Sequence, residues 1–277
     1  MIYTRLAVTP SDPSRREVVS AALFEAGAEG LLEDGAAFVT VFSDEADARA
    51  AENAARLADG DAQTVCAAYD PGDYTEAWRR GVRAHTVGSM VIAPPWLAAE
   101  YDAMTTIVVE PSTGFGTGEH ETTRATLLLL QHAVRAGDTV IDAGCGSGVL
   151  AIAAARMGAA RVAAIDNDPQ AITNADDNVA RNGVGDRVTV IDGDALVLAP
   201  LLAPARVIVA NIIAAVLIAF LPAAGRALAP DGDVIVGGVL RSERDGFVRD
   251  AAQLGWRVER EQTEGEWWSG HLRRTRE

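Results

Sequence analysis

Apolar and polar side chains alternate along Ile2–Val8, which predicts a strand with one buried face. Ser11-Asp-Pro-Ser then opens a helix, with Pro13 in its first turn, where a missing N–H costs nothing. Val18, Val19, Ala22 and Leu23 give that helix an apolar stripe, and it ends near Gly27. Short strands follow at Gly30–Glu33 and Ala37–Phe42, joined at Asp34-Gly35, a dipeptide that suits a hairpin turn. Ser43-Asp-Glu-Ala opens an alanine-rich helix, and Gln63–Tyr69 is the next strand. Strand, helix, strand, strand, helix, strand is the order of a small ferredoxin-like α+β unit.

Asp70-Pro-Gly-Asp breaks the pattern, and Tyr74–Val82 reads as a connecting helix carrying Trp78. Extended stretches are predicted at His85–Ala93 and Thr105–Glu110, parted by Pro94-Pro95. From Glu121 the period switches back and forth. Helices are predicted over Thr122–Ala136, from the following glycine turn to Met157, and over Pro169–Asn182, Ala214–Leu228 and Glu243–Leu254. Strands are predicted at Thr139–Asp142, Val162–Asp166, Arg187–Asp192, Arg206–Ala210 and Asp233–Gly237, with a closing pair near Trp256–Gln262 and Glu266–Arg273. Such alternation means an open parallel sheet covered by helices on both faces, and the closing pair suggests an antiparallel edge. The fold class is therefore α/β and Rossmann-like, with a small N-terminal α+β domain. The expected domains are residues 1–69, a linker helix within 70–84, and a second domain over 85–277.

A chain of 277 residues, 49% hydrophobic and 23% charged, has the composition of a folded two-domain protein. Its net charge of −15 disfavours nucleic acid and anionic membrane, and a basic protein is the more comfortable partner. All 24 basic side chains are arginine; the absence of lysine fits base composition together with the high alanine content. Cys66 and Cys145 are too few and too far apart for a disulfide framework or a cysteine zinc site. His85, His120, His132 and His271 lack metal-ligand spacing, so no metal is expected. The N-terminus lacks a signal-peptide layout, and the longest apolar stretch, from Ile212 to Ala224, is too short to span a bilayer. A cytoplasmic monomer is the expectation.

The strongest local chemistry is Val140-Ile-Asp-Ala-Gly-Cys-Gly-Ser-Gly-Val-Leu150, a buried strand running through a glycine turn into a helix. Gly144 and Gly146 permit a tight turn and close approach of backbone to ligand, and Gly148 lets the helix pack near the sheet. Gly144-x-Gly146-x-Gly148 is one residue short of the dinucleotide spacing. Asp-x-Gly-x-Gly-x-Gly looks instead like the first motif of S-adenosylmethionine methyltransferases. That ligand carries an ammonium and a sulfonium, which Asp142 beside the turn would suit. Asp166, ending the next strand, is placed to accept both ribose hydroxyls; the plainer role, a helix cap, is already filled by Asp168-Pro169. Asp194 follows the third strand where adenine often sits, and a simple turn carboxylate explains it equally well.

Two further segments carry signal. Pro111-Ser-Thr-Gly-Phe-Gly-Thr-Gly-Glu-His-Glu-Thr-Thr123 is too rich in glycine for an ordinary loop, and Thr122, Thr123 and freed helix-terminal amides suit a ligand's charged end. Ala210-Asn-Ile-Ile213 closes the fourth strand, and the Asn211 carboxamide there is placed to orient an attacking nitrogen. The Pro-Pro-aromatic that follows such an Asn in enzymes acting on nucleic-acid bases is missing.

Taken together, Gly-Phe-Gly-Thr-Gly-x-His-x-Thr-Thr, Val-Ile-Asp-x-Gly-Cys-Gly-Ser-Gly-x-Leu-Ala-Ile-Ala-Ala, Ile-Asp-x-Asp-Pro-Gln-Ala and Ala-Asn-Ile resemble the PrmA family. These are lysine and amino-terminal methyltransferases of large-subunit ribosomal protein eleven, and the resemblance spans the whole chain. It implies a class I methyltransferase domain, S-adenosyl-L-methionine as cofactor, and an N-terminal domain that binds the ribosomal protein. It implies cofactor contact by Thr123, Gly144, Asp166 and Asn211, with Phe115 and His120 shaping a lid. In this sequence Ser112-Thr113-Gly114 stands where Gly-x-Ala is more usual, and Glu121 replaces a frequent proline.

The expected reaction is in-line methyl transfer to a neutral amine, with Asn211 orienting the substrate. Candidates for proton acceptor are Glu119, His120 and Glu121, or water. Other readings stay open: a protein-lysine methyltransferase with another target, a nucleic-acid amine methyltransferase, and a non-catalytic nucleotide-binding module.

Overall fold

A computed structural model describes residues 3–28, 30–69, 82–110 and 120–275. The chain divides into two compact units, residues 1–82 and 83–277. The first unit contains β1 (Tyr3–Thr9), α1 (Arg16–Glu25), β2 (Leu32–Asp34), β3 (Ala37–Phe42), α2 (Glu45–Ala58) and β4 (Gln63–Tyr69). Its antiparallel sheet has the order β2-β3-β1-β4, which is the ferredoxin-like arrangement. Leu6, Val8, Phe38 and Phe42 meet Val19 and Leu23 of α1 and Ala48, Ala51 and Ala55 of α2 in one core. Alanines on α2 allow close approach, and Asp44 caps the helix by accepting from the Ala46 N–H at 2.7 Å. β2 begins at Leu32 rather than Gly30, since none of its side chains is buried to pin its start. The linker helix expected over Tyr74–Val82, with Trp78, lies almost wholly outside the described residues.

The second unit opens with a small sheet, β5 (His85–Val87), β6 (Met90–Ala93) and β7 (Thr106–Val108), in that order. The single extended stretch expected for His85–Ala93 is instead a hairpin, because Gly88 adopts φ +59° and turns the chain. Then come α3 (Glu121–Ala133), β8 (Thr139–Ala143), α4 (Val149–Arg156), β9 (Arg161–Asp166), α5 (Pro169–Arg181), β10 (Val188–Asp192) and α6 (Ala195–Leu198). They are followed by β11 (Ala205–Asn211), α7 (Ala214–Ala227), β12 (Leu228–Leu240), α8 (Arg244–Gln253), β13 (Trp256–Glu264) and β14 (Trp267–Arg274). The helix α3 stops three residues earlier than expected, where Val134 turns extended. The strand β12 is longer than expected at both ends: Leu228 pairs with Ala205, and Val239 and Leu240 pair with Trp268 and Trp267. The short α6 had no sequence expectation.

The seven-stranded sheet has the order β10-β9-β8-β11-β12-β14-β13. Its first five strands are parallel, and β14 inserts antiparallel between β12 and β13. Strands β8 and β11 are apolar nearly throughout because both faces of the sheet are covered. Leu127, Leu130, Ile152 and Ile235 lie in the core on one side, and Phe220, Leu221, Phe247 and Trp268 in the core on the other. The chain winds outward from β8 to β10, then returns to β11 on β8's other side. That reversal makes a crevice at the carboxyl ends of β8 and β11, where ligands bind in open α/β sheets. Among the described residues no helix is long and apolar enough to cross a membrane.

Candidate active site

A cavity of about 1210 Å³ opens at this crevice. Gly144 and Gly146, Asp166, Asp194 and Asn211 stand on its wall, one or two from each strand end, with Thr123 from the first turn of α3.

The turn after β8 explains its three glycines. Gly144, Gly146 and Gly148 have φ of +72°, +54° and +77°, a region that side-chain-bearing residues avoid. A Cβ on Gly144 would stand 2.5 Å from Ile212 Cγ2, so only glycine lets the turn pass β11's exit. Gly148 serves a different neighbour from the one expected. Its missing Cβ makes room for Ala175 of α5, 3.3 Å away, and not for the sheet; Gly148 supports the turn from behind and is not on the cavity wall.

The Gly146 N–H donates to Asp166 Oδ2 at 2.8 Å, and the Asp168 N–H donates to Asp166 Oδ1 at 3.1 Å. Each carboxylate oxygen thus accepts one bond and keeps acceptor capacity toward the cavity. Asp168 itself caps α5 through the Gln170 N–H at 2.9 Å, so Asp166 is not the cap. Asp194 caps α6 through the Leu196 N–H at 2.8 Å and also lines the cavity.

Asp142 is fully buried and off the cavity wall, contrary to the expectation that it faces a cationic ligand. Neither of its oxygens has a hydrogen-bond partner among the described residues. Burial, with the negative charge of Asp166 adding to it, pushes its carboxyl up to about 7. The Ala151 backbone amide works the other way but lies outside hydrogen-bond geometry. Burial likewise pushes the Cys145 thiol up, which leaves it a poor nucleophile.

The opposite wall is a chain of side chains. Asn211 Nδ2 donates to Thr122 Oγ1 at 3.3 Å, and Thr122 Oγ1 stands 3.2 Å from His120 Nδ1. The His120 ring meets Trp267 edge to face, with centroids 5.3 Å apart. With its amide nitrogen committed to Thr122, Asn211 leaves Oδ1 buried and without a partner among the described residues. That oxygen is a buried acceptor whose capacity no described group uses. Gly237 of β12 makes room for it, since a Cβ there would stand 2.6 Å from Oδ1. Thr123 is buried beside Thr122 on the same wall.

Phe115 and Glu119 lie outside the described residues, as does the rest of 111–119. Glu121 is not on the cavity wall; its carboxylate packs at the β13–β14 turn, against Gly265. Sequence reasoning missed Trp267, Ile213, Val216 and Phe220, which supply much of the apolar wall. Only Ile212-Ile213, adjoining Asn211, was open to suspicion from the chain alone. The site therefore offers acceptors for hydroxyls at Asp166, an acceptor for an N–H at Asn211, and an apolar surround. It is built to orient and desolvate.

Residues 7–275 match the family described as Ribosomal protein L11 methyltransferase (PrmA). The chain is 42% identical over 219 residues to the ribosomal protein L11 methyltransferase of Pelotomaculum thermopropionicum, covering 77% of this chain and 70% of that protein. It is 40% identical over 199 residues to the one from Heliobacterium modesticaldum, covering 70% of this chain and 62% of that protein, less than two thirds of the latter's length. Among solved structures, ribosomal protein L11 methylase from Lactobacillus delbrueckii subsp. bulgaricus superposes with a TM-score of 0.63 at 28% identity, covering 70% of this chain and all of that one.

Proposed function

The chain belongs to the PrmA family of ribosomal protein L11 methyltransferases, and on that premise we propose that it methylates amines of large-subunit ribosomal protein eleven using S-adenosyl-L-methionine. The observation that carries the reading is one cavity lined by both Asp166, its carboxylate bound to the glycine turn, and Asn211 at the end of β11.

The residues present fit the cofactor. Gly144 and Gly146 supply a cradle that a Cβ would spoil, Asp166 offers two acceptors for ribose hydroxyls, and Asp194 stands on the wall suited to adenine. Thr122 and Thr123, on the same wall, would suit the charged amino-acid end of such a ligand. When bound, S-adenosylmethionine supplies an electrophilic methyl on a sulfonium. The protein's share is to present the amine. A lysine ammonium has a pKa of ~10.4 in water, so the apolar wall of Ile213, Val216 and Trp267 favours its neutral form by desolvation. Asn211, on the cavity wall, would accept one N–H of the amine and so orient its lone pair for transfer.

Residues 1–82 are assigned to recognition of the ribosomal protein, since the cavity is built from the second unit alone. The charge of −15 suits a basic partner and supports a cytoplasmic role at the ribosome. The test is direct: incubate the protein with labelled S-adenosylmethionine and total ribosomal proteins, and identify the labelled band. Label on protein eleven is expected; a folded, cofactor-binding enzyme that leaves it unlabelled overturns the substrate assignment. Asp166→Ala is expected to cost roughly 2–4 kcal/mol of cofactor affinity by calorimetry. A fragment beginning at Arg83 should keep cofactor affinity and lose transfer to the ribosomal protein.

A further inference from the structure

We propose that Asn178, on the far side of the glycine turn from the cavity, is a positioning residue that holds the turn in its cofactor-binding shape. The inference rests on the reading of the cavity as the S-adenosylmethionine site.

Asn178 is 0% exposed and is not on the cavity wall. Its carboxamide uses every hydrogen-bonding position it has. Nδ2 donates to the Ser147 carbonyl at 3.0 Å and to Asn174 Oδ1 at 3.2 Å. Oδ1 accepts from the Glu110 N–H at 3.1 Å and from the Arg181 guanidinium at 2.9 Å. The amide cannot be flipped, because a backbone N–H only donates and a carbonyl only accepts. Ser147 stands between Gly146, which binds Asp166, and Gly148, which packs on Ala175. Three consecutive residues of the turn are thus tied down, two of them by α5. Glycine at positive φ has more conformations to lose than any other residue, so a glycine turn needs an external restraint to hold one shape. Asn178 supplies it from α5, whose other side chains, Asn174 and Asp177 among them, line the cavity.

The residue that caps the end of the same helix provides the contrast. Asn182 grips Val108 by both backbone groups, accepting from its N–H at 2.9 Å and donating to its carbonyl at 2.6 Å. It docks the same extended run that Asn178 holds at Glu110 and also donates to the Asn178 carbonyl at 2.8 Å, yet among the described residues its side chain makes no bond to the turn. The two asparagines therefore separate docking of that run from shaping of the turn.

Asn178→Asp keeps the acceptor for Glu110 and Arg181 but sets an oxygen against the Ser147 carbonyl. Calorimetric binding of S-adenosylhomocysteine is expected to weaken about tenfold or more, the scale of a buried carbonyl left unpaired. KM for S-adenosylmethionine should rise in parallel, while kcat at saturating cofactor and KM for the protein substrate stay within about twofold. Asn182→Ala should lower the thermal midpoint yet leave cofactor affinity within about twofold. A folded Asn178→Asp with wild-type affinity overturns the proposal, and so does an equal loss of affinity in Asn182→Ala. Should Asn178→Asp not fold, Asn178→Ala carries the same expectation. If neither folds, Asn178 is a folding determinant and the proposal fails. Wild-type protein that does not bind S-adenosylhomocysteine overturns the cavity's assignment itself.

Discussion

Asp142 and Asp233 are both buried in parallel strands of one sheet, Asp142 level with Val209 of β11 and Asp233 level with Val207. Their surroundings are opposite. Asp233 accepts from His271 Nε2 at 2.8 Å, from the Arg206 guanidinium at 2.6 Å and from Arg273 Nε at 2.5 Å. Burial works to raise its carboxyl, but the bonds from His271, Arg273 and Arg206 win and hold it below the usual carboxylate range. Asp142 has no such partners among the described residues, and burial wins. Away from the cavity, a buried charge is paired in the ordinary way. Beside the glycine turn Asp142 has no partner among the described residues, and the charge of Asp166 adds to the cost of ionising it. The sheet is fully satisfied at Asp233 and under-satisfied behind the glycine turn, where Asp142 lies off the cavity wall.

The severest way to break this contrast is Asp233→Ala. It strands His271 and two arginines, one of them 40% exposed, and should cost about 3–5 kcal/mol of stability, toward the lower end because water reaches Arg273. Urea unfolding measures it, and cofactor affinity should not change. A loss of binding without a loss of stability would mean that Asp233 belongs to the site after all.

Asp142→Asn tests the other half through pH. The folded value near 7 lies above the ordinary 3.8, so between these the native protein keeps a proton that the unfolded chain has lost. Wild-type stability from this group is therefore fully present below about pH 4, falls as pH rises to about 7, and is flat above. The variant lacks that decline and should gain about 2–4 kcal/mol relative to wild type across the interval. Asp233 runs the opposite way: its contribution is present above its ordinary 3.8 and is lost as pH falls toward its depressed folded value. Stability curves of the two proteins that run parallel from pH 4 to 8 would remove the distinction.

Asn211→Ala gives the smallest effect and the sharpest reading of the orphaned acceptor. Turnover should fall about tenfold with little change in substrate affinity, the signature of an interaction made mainly in the transition state. Cofactor affinity is measured alongside; if it falls as far as turnover does, Oδ1 serves the cofactor and not the amine.

Much of the site was open to reading along the chain. Gly144 and Gly146 needed only the local fact that a strand-to-helix turn wants positive φ, and Asp166 and Asn211 needed only their places at strand ends. The hairpin at Gly88 was missed because one continuous apolar run hid a single turning glycine. Trp267 was missed because β14 reaches the cavity only by inserting beside β12, and its neighbour His120 is remote in sequence.

The order of elements, the parallel character of the sheet and the identity of the ligand turn follow from the chain alone, since each depends on spacing over a few residues. Which aspartate is paired does not. Asp142 in Val-Ile-Asp and Asp233 in Asp-Val-Ile are chemically alike as text. Arg206 and His271, 27 and 38 residues away from Asp233, reach it only once the sheet has formed. The same holds for Asn178, whose carboxamide joins Glu110 and Ser147 from 68 and 31 residues off. Local sequence sets backbone conformation, because φ and ψ respond to near neighbours. Charge state, orphaned acceptors and the restraint on the turn depend on which groups share a desolvated space, and only the tertiary fold decides that.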